Sequence, residues 1–258
     1  MIKKLFSPHY LIGAVLLIGL IAFHRSDHAW LEWLQFKCFD FYQQAAPRQP
    51  DAAKMPAQVA IVDIDEKALR EVGQWPWSRT TIARLVDALT DARVSSIGFD
   101  AVFAEADRTS PHLIAKDYPE LESVVKVLPS NEDILVKAME RSGRVVLGEV
   151  GLNEPTPDAK IQLKSSAGIL SRNGDTLVLP YLGQYQGLVT NLPKLDAAAA
   201  GIGLFSTRPD ADGIIRRVAL VERVGDGRTL FSSLALEMLR VALGGADSYL
   251  LKGYKDGS

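Results

Sequence analysis

Three acids stand within four positions at the end of the apolar run VAIVDIDE, Asp63, Asp65 and Glu66, and three more, Asp100, Glu105 and Asp107, follow a second apolar run. Carboxylates gathered in this way can hold a cation, move a proton, attack a phosphorus centre, or simply accept backbone N–H groups. Trp75 and Trp77 bracket Pro76 between the two groups. They could stack a planar or cationic ligand, or form a rigid packed corner. Arg79 and Arg108 are the cations at hand to keep the acids from repelling one another. Farther on, Arg216 and Arg217 could clamp an anion, although alternation lets one of them face a crevice, and Asp210 or Asp212 is an equally near partner. The DADG stretch at 210–213 lacks the remaining ligands of a calcium loop and reads as a turn. The histidines at 9, 24, 28 and 112 share no metal spacing, so whether the acids hold a metal stays open and no cofactor is expected.

Composition narrows the partners. Of 258 residues 29 are basic and 31 acidic, a formal charge of -2 that draws no polyphosphate backbone, so nucleic acid is not expected. Cys38 is the single cysteine and excludes an internal disulfide. Residues 5–23 carry no Lys, Arg, Asp or Glu, which predicts one membrane-spanning helix. Lys3 and Lys4 orient the short tail inward, and no small-x-small cleavage site follows. The domain after Arg25 would then be periplasmic, in a bacterial inner-membrane protein with a cytoplasmic N-terminus.

The elements that must position the acids follow from periodicity. Residues 26–46 read as a helix striped with Trp30, Trp33, Phe36, Phe39 and Tyr42, suited to a membrane–water interface or to packing on a core, and 46–58 reads as a linker. The division is 1–25 for tail and anchor, 26–57 for helix and linker, and 58–258 for the soluble domain. QVAIVDI, VSSIGFDAVF and RVVLGEV read as three buried parallel strands. Between them lie helices at 80–92, with a threonine cap, and at 131–142, capped by Ser130 and stopped by Gly143. Residues 104–129 form a long excursion with one short helix; TLVL, GIGLFS and IIRRVALVERV read as strands, GDG at 225–227 as a hairpin, and the segment from Ser232 or Ser233 to Gly244 as a closing helix. The fold class is α/β, a mostly parallel sheet with flanking helices preceded by one transmembrane helix. Its carboxyl edge is where a ligand would bind.

Two families share parts of this pattern. VAIVDIDEKAL resembles the opening of a haloacid-dehalogenase-like phosphatase, which implies Asp63 as nucleophile, Asp65 as general acid and magnesium between the substrate phosphate and the protein, yet Lys67 stands where such enzymes carry a small or branched residue, and no later acidic pair completes the site. A third reading is structural, with Asp65 capping a helix and Asp63 and Asp100 accepting N–H groups from the W-P-W turn. The fuller resemblance is to the CHASE type 2 family, extracytoplasmic sensory domains attached to cyclases and histidine kinases. It rests on Asp63, Asp65 and Glu66; on Gly73, Trp75, Pro76, Trp77 and Arg79; on Gly98, Phe99, Asp100, Phe103, Glu105 and Asp107; and on Asp210, Asp212, Gly213, Arg216, Arg217, Ser233, Leu234 and Glu237. It implies a sensor without catalysis that binds a small ligand or cation through Asp63, Asp65, Glu66, Trp75, Trp77, Arg79, Asp100, Glu105, Asp107 and Arg216. The resemblance covers the front two thirds of such a sensor. A cytoplasmic output domain or partner chain, and a homodimer through the anchor and aromatic helix, are the further expectations.

Overall fold

The computed structural model describes residues 8–25, 29–47, 59–156, 161–170 and 182–252. The strand expected at 176–179 and most of the linker lie outside the described residues. The chain divides into two compact units, Met1–Val62 with Pro209–Ile214, and Asp63–Arg208 with Ile215–Ser258.

The first unit carries α1 (Pro8–Arg25) and α2 (Ala29–Ala45). Among the described residues no helix is long and apolar enough to cross a membrane. α1 has eighteen residues and rises about 27 Å, with Pro8 and His9 at one end of its sequence and His24 and Arg25 at the other. The Ile12, Leu16 and Leu20 side chains are exposed, as are Trp30, Trp33, Phe39 and Tyr42 on α2. Asp210–Ile214 makes the expected turn, with Gly213 N–H on the Asp210 carbonyl (2.9 Å), Ile214 N–H on Asp212 Oδ1 (3.2 Å) and Gly213 at φ 80°.

The second unit opens with α3 (Glu66–Val72) and α4 (Arg79–Asp91), then β1 (Ile97–Phe99). The long excursion holds α5 (Pro111–Asp117), a 3-10 turn (Pro119–Leu121) and α6 (Glu122–Val125). Next come α7 (Asn131–Ser142), β2 (Val145–Leu152), β3 (Ser166–Leu170), β4 (Gln184–Tyr185), β5 (Gly187–Val189), α8 (Pro193–Ala198) and β6 (Gly201–Leu204). The hairpin β7 (Val221–Val224) and β8 (Thr229–Ser232), α9 (Leu234–Ala242) and β9 (Ser248–Lys252) complete it.

β2 is the trunk. β1 lies parallel to it from Ile97 opposite Val145, β6 parallel from Gly201 opposite Val146, and β5 antiparallel from Val189 opposite Val150. β4 runs parallel to β7, and β7 antiparallel to β8. β3 and β9 form a separate parallel pair. The architecture is α/β with mixed sheets, which corrects the mostly parallel expectation. The GDG turn forces one antiparallel pair, and β5 folds back on the second half of β2. The first expected strand is also corrected: residues 59–65 form no strand, with Val59 84% and Ile61 90% exposed. A β-branched run supplies the pattern of a strand, but a strand exists only where a ladder partner meets it. The third parallel strand is β6 instead.

α4 starts at Ser78 rather than at a threonine, the Ser78 hydroxyl accepting from Thr81 N–H (3.3 Å). Ser130 and Asp133 close a reciprocal capping box on α7, and Gly143 ends it at φ 60°. Ile82, Val86, Leu135 and Met139 from these two helices pack on Val145, Leu147, Ile202 and Leu204. The opposite face of the sheet is nearly bare of side chains. A Cβ at Gly98 would meet Met238, and one at Gly203 would lie 2.6 Å from the Leu234 backbone, so α9 rests almost on the strands. Gly203→Ala must therefore lift the start of α9, lowering stability by about 1–3 kcal/mol in urea unfolding, while Gly213→Ala meets no neighbour and strains its own turn through φ 80°, leaving the sheet and α9 in place.

Candidate functional site

β1, β2 and β6 point their carboxyl ends the same way, and the segments beyond them make the crevice that ligands use in such sheets. Two groups of charges assemble there. The first centres on Asp107, buried, which accepts from Arg79 N–H (2.7 Å) and Asn131 Nδ2 (2.9 Å) on one oxygen and from Thr109 N–H and hydroxyl (2.8 and 2.7 Å) on the other. Arg79 is the first residue of α4 and Asn131 the first of α7, so one carboxylate occupies the amino end of both helices. Asp107 N–H in turn donates to Glu132 Oε1, and Ser110 Oγ to Glu132 Oε2 (3.0 Å). Burial works to raise the Asp107 carboxyl, but the donors from Arg79, Asn131 and Thr109 outweigh it and hold the group below its ordinary range; Glu132 is held down in the same way by Asp107 N–H and Ser110. The Arg79 guanidinium lies 4.5 Å over the Phe103 ring and donates to the Glu105 carbonyl (3.1 Å), and its Nε has no partner among the described residues.

Phe103 joins this group to the second. Its backbone N–H donates to Asn191 Oδ1 (2.7 Å), and Asn191 Nδ2 reaches the Gly148 carbonyl (3.2 Å) and Asp196 Oδ1 (3.0 Å). Beside them Glu149, in β2 opposite the last residue of β6, is fully buried with neither carboxylate oxygen partnered among the described residues. Burial, with Asp196 adding to it, pushes the Glu149 carboxyl up to about 8. Burial also raises Asp196 to about 6, against the pull of Asn191 and the Lys164 ammonium. At neutral pH the pair carries less charge than two free acids would, and it attracts a proton or another positive charge.

The residues named from the sequence divide. Arg79 and Asp107 are brought together, Glu105 through its carbonyl, while the Glu105 carboxylate is exposed and 3.7 Å from Arg108. Asp63, Asp65, Glu66 and Asp100 are exposed and share no hydrogen bond or ion pair with that cluster among the described residues. Asp65 is instead the cap of α3, accepting from Ala68 N–H (2.8 Å), which is the structural role the sequence allowed; Asp63, without its strand, loses the strand-end context the phosphatase reading required. Trp75 is exposed and Trp77 half-buried, their rings 5.8 Å apart and tilted by 66°, and Trp77 Nε1 donates to the Gly73 carbonyl (2.7 Å). Arg216 is half-buried. Sequence reasoning missed Glu149, Asp196, Asn191 and Glu132. The available signal was the lone acid inside RVVLGEV, an ionisable group in a strand otherwise read as core. Among the described residues no group of three or more His, Cys, Asp or Glu side chains could hold a metal ion.

Compared with known families, the chain matches the model of the CHASE2 domain over residues 13–254. No curated protein matches it, and no solved structure does.

Two outcomes follow from the geometry. Because folding raises Glu149 and Asp196 above their ordinary 4.5 and 3.8, the folded state holds protons that the unfolded chain releases, so stability falls as pH climbs from about 4 to about 8. Each proton contributes a slope of up to about 1.4 kcal/mol per pH unit. Urea unfolding across that range should show the decline, and Glu149→Gln should remove its part above pH 6. Asp107→Ala, which strands the Arg79 and Thr109 N–H groups, should cost on the order of 3 kcal/mol at every pH above 5.

Proposed function

The chain belongs to the CHASE2 domain family, sensory extracellular domains of signalling proteins, and on that premise we propose that it is the ligand-sensing part of a membrane-anchored bacterial receptor of the cyclase or histidine-kinase type. The sensing site is the carboxyl edge of the β1–β2–β6 sheet, and its ligand is a small molecule or ion that brings positive charge. The observation that carries this reading is Glu149: a carboxyl group with no exposure and two unpartnered oxygens is costly in any fold, and a positive charge delivered there removes the cost. Asp196 beside it, and Asp107 and Glu132 nearby, gather carboxylates at the same edge, where Arg79, Lys194 and Lys164 are the cations that act on them and none of these partners Glu149. α8, with Asp196 on it, is the element that must shift to admit a ligand. A ligand that prefers the shifted arrangement would change its population by the difference in affinity for the two.

The surroundings of the sensor complete the proposal. Residues 1–25 supply a cytoplasmic tail and anchor, 26–57 the connecting helix and linker, and 58–258 the periplasmic domain. In support, α1 exposes a belt of Ile, Leu and Val, and α2 exposes Trp and Tyr of the kind that settle at a lipid–water boundary. Homodimerisation through these helices, and an output module in the cytoplasm or on a partner chain, would carry the signal onward. No catalytic step is assigned to the domain.

The test uses the full chain in detergent, at pH 8 and fixed ionic strength, with calcium chloride, magnesium chloride or putrescine dihydrochloride as probe. At least one of them should raise the thermal unfolding midpoint by several degrees through mass action, and Glu149→Gln should abolish the rise. A midpoint unmoved by all three, or moved equally in wild type and Glu149→Gln, would show that this edge does not take a cationic ligand.

A further inference from the structure

At the other end of the same sheet there is an open cavity of about 590 Å³, within the range of small-molecule sites. It is walled by the segments that lead into the three parallel strands, residues 93–95 before β1, 143–144 before β2 and Ala200 before β6, and by the end of α9 with the turn after it. Four cations line it, Arg93, Arg144, Lys164 and Arg240, against one acid, Asp247. Arg240 belongs to the wall: it is buried, paired to Glu237 at 2.8 Å, and holds the Ala246 and Ala200 carbonyls (3.1 and 2.7 Å). The other three are not matched in this way. Arg144 donates from one Nη to the Val94 carbonyl (2.9 Å), Lys164 donates once to the Ala197 carbonyl (2.7 Å), and the Arg93 side chain makes no hydrogen bond or ion pair among the described residues. Four cations less Asp247 and Glu237 leave two positive charges.

The cations are not explained by the helix ends that converge here. The carboxyl ends of α4, α7 and α9 bring partial negative charge and offset part of the excess. Their last carbonyls, however, already have backbone donors: Ala88 and Thr90 from Ala92 and Arg93, Met139 from Gly143, Leu239 from Leu243. Arg93 follows the α4 cap Ala92 and ends the helix in the left-handed conformation, φ 58°, a stop usually made by glycine; it is the one non-glycine residue among those described with positive φ. The Lys164 ammonium is pressed toward its neutral form by burial, against the attraction of Asp196, and an anion within reach would relieve that.

We propose that this cavity is a binding site for a small oxyanion bearing two negative charges, a phosphate or a dicarboxylate, held by the guanidinium forks of Arg93 and Arg144 and by the Lys164 ammonium. The forks match the paired oxygens of either group, and the cavity holds a molecule rather than a bare ion. This inference stands on Arg93 and Arg144, which the sensory reading of the carboxyl edge does not use; Lys164 is the one group that also acts on that edge, through Asp196.

Titration calorimetry of the full chain in detergent at pH 7 tests it, with inorganic phosphate in one arm and succinate in the other, below 5 mM and with sodium chloride holding the ionic strength. The decisive variant is Arg93→Gly, because glycine adopts φ 58° without strain, so the fold is kept while the guanidinium is lost. Saturable binding of phosphate or succinate to the wild type, weakened about tenfold or more in Arg93→Gly, is the expected result, and whichever arm binds assigns the phosphoryl or the carboxylate class. Saturable binding of neither, or equal binding to wild type and Arg93→Gly, would overturn the site.

Discussion

Four donors converge on the Asp107 carboxylate, and they come from three places: the first turn of α4, the first residue of α7, and the loop that Asp107 itself begins. Arg79 N–H is one of the first four that α4 leaves unsatisfied and Asp107 accepts it, while on α7 Asp107 takes the Asn131 side-chain amide and the Asn131 N–H goes to Ser110 Oγ (3.0 Å). Asp107 therefore sets the mutual height of α4 and α7. Their far ends are tied independently, Thr90 to Ser142 (2.8 Å) and Arg141 to Asp87 (2.8 Å). Between the two fastenings the apolar faces have no freedom of register, and Ile82, Val86, Leu135 and Met139 meet the sheet as one surface.

The carboxyl edge contains carboxyl groups of two kinds, and they differ in their donors as well as in their depth. Asp107 and Glu132 are surrounded by N–H and O–H groups and ionise readily; Glu149 lies deeper and has no such donor among the described residues. Solvation by the protein replaces solvation by water in the first case and not in the second. A fold that provides donors so fully for one acid and leaves its neighbour bare has, at that neighbour, a place where charge is strongly disfavoured and a positive partner strongly favoured. The family match gives that place a context, because a sensory domain has use for a group whose state changes when something arrives.

Much of the scaffold was legible because it is written in local chemistry. Ser130 with Asp133 and Gly143 define α7 at both ends, the GDG turn defines the β7–β8 hairpin, and Asp65 followed by Ala68 defines a cap. What was not legible depends on partners far along the chain. VAIVDI has the composition of a buried strand and lies exposed; GIGL was legible as a strand, but not its place beside β2 under α9, which uses the space its missing side chains leave. The site divided along the same line. Arg79 and Asp107 were found through a motif of neighbouring residues, while Glu149 and Asp196 are 47 positions apart and become a pair only through the sheet and the turn at Asn191.

That separation has a kinetic side. The contacts around Asp107 span 24 and 28 residues, whereas Phe103 meets Asn191 across 88, so loop closure favours the first cluster early and the second late. Until β6 and α8 dock, Glu149 faces water and ionises like any surface acid. Docking takes it out of water. Near neutral pH, uptake of a proton from the buffer is thus a clock for the final step of assembly, and a pH-indicator dye mixed with the refolding chain would report it without any label on the protein.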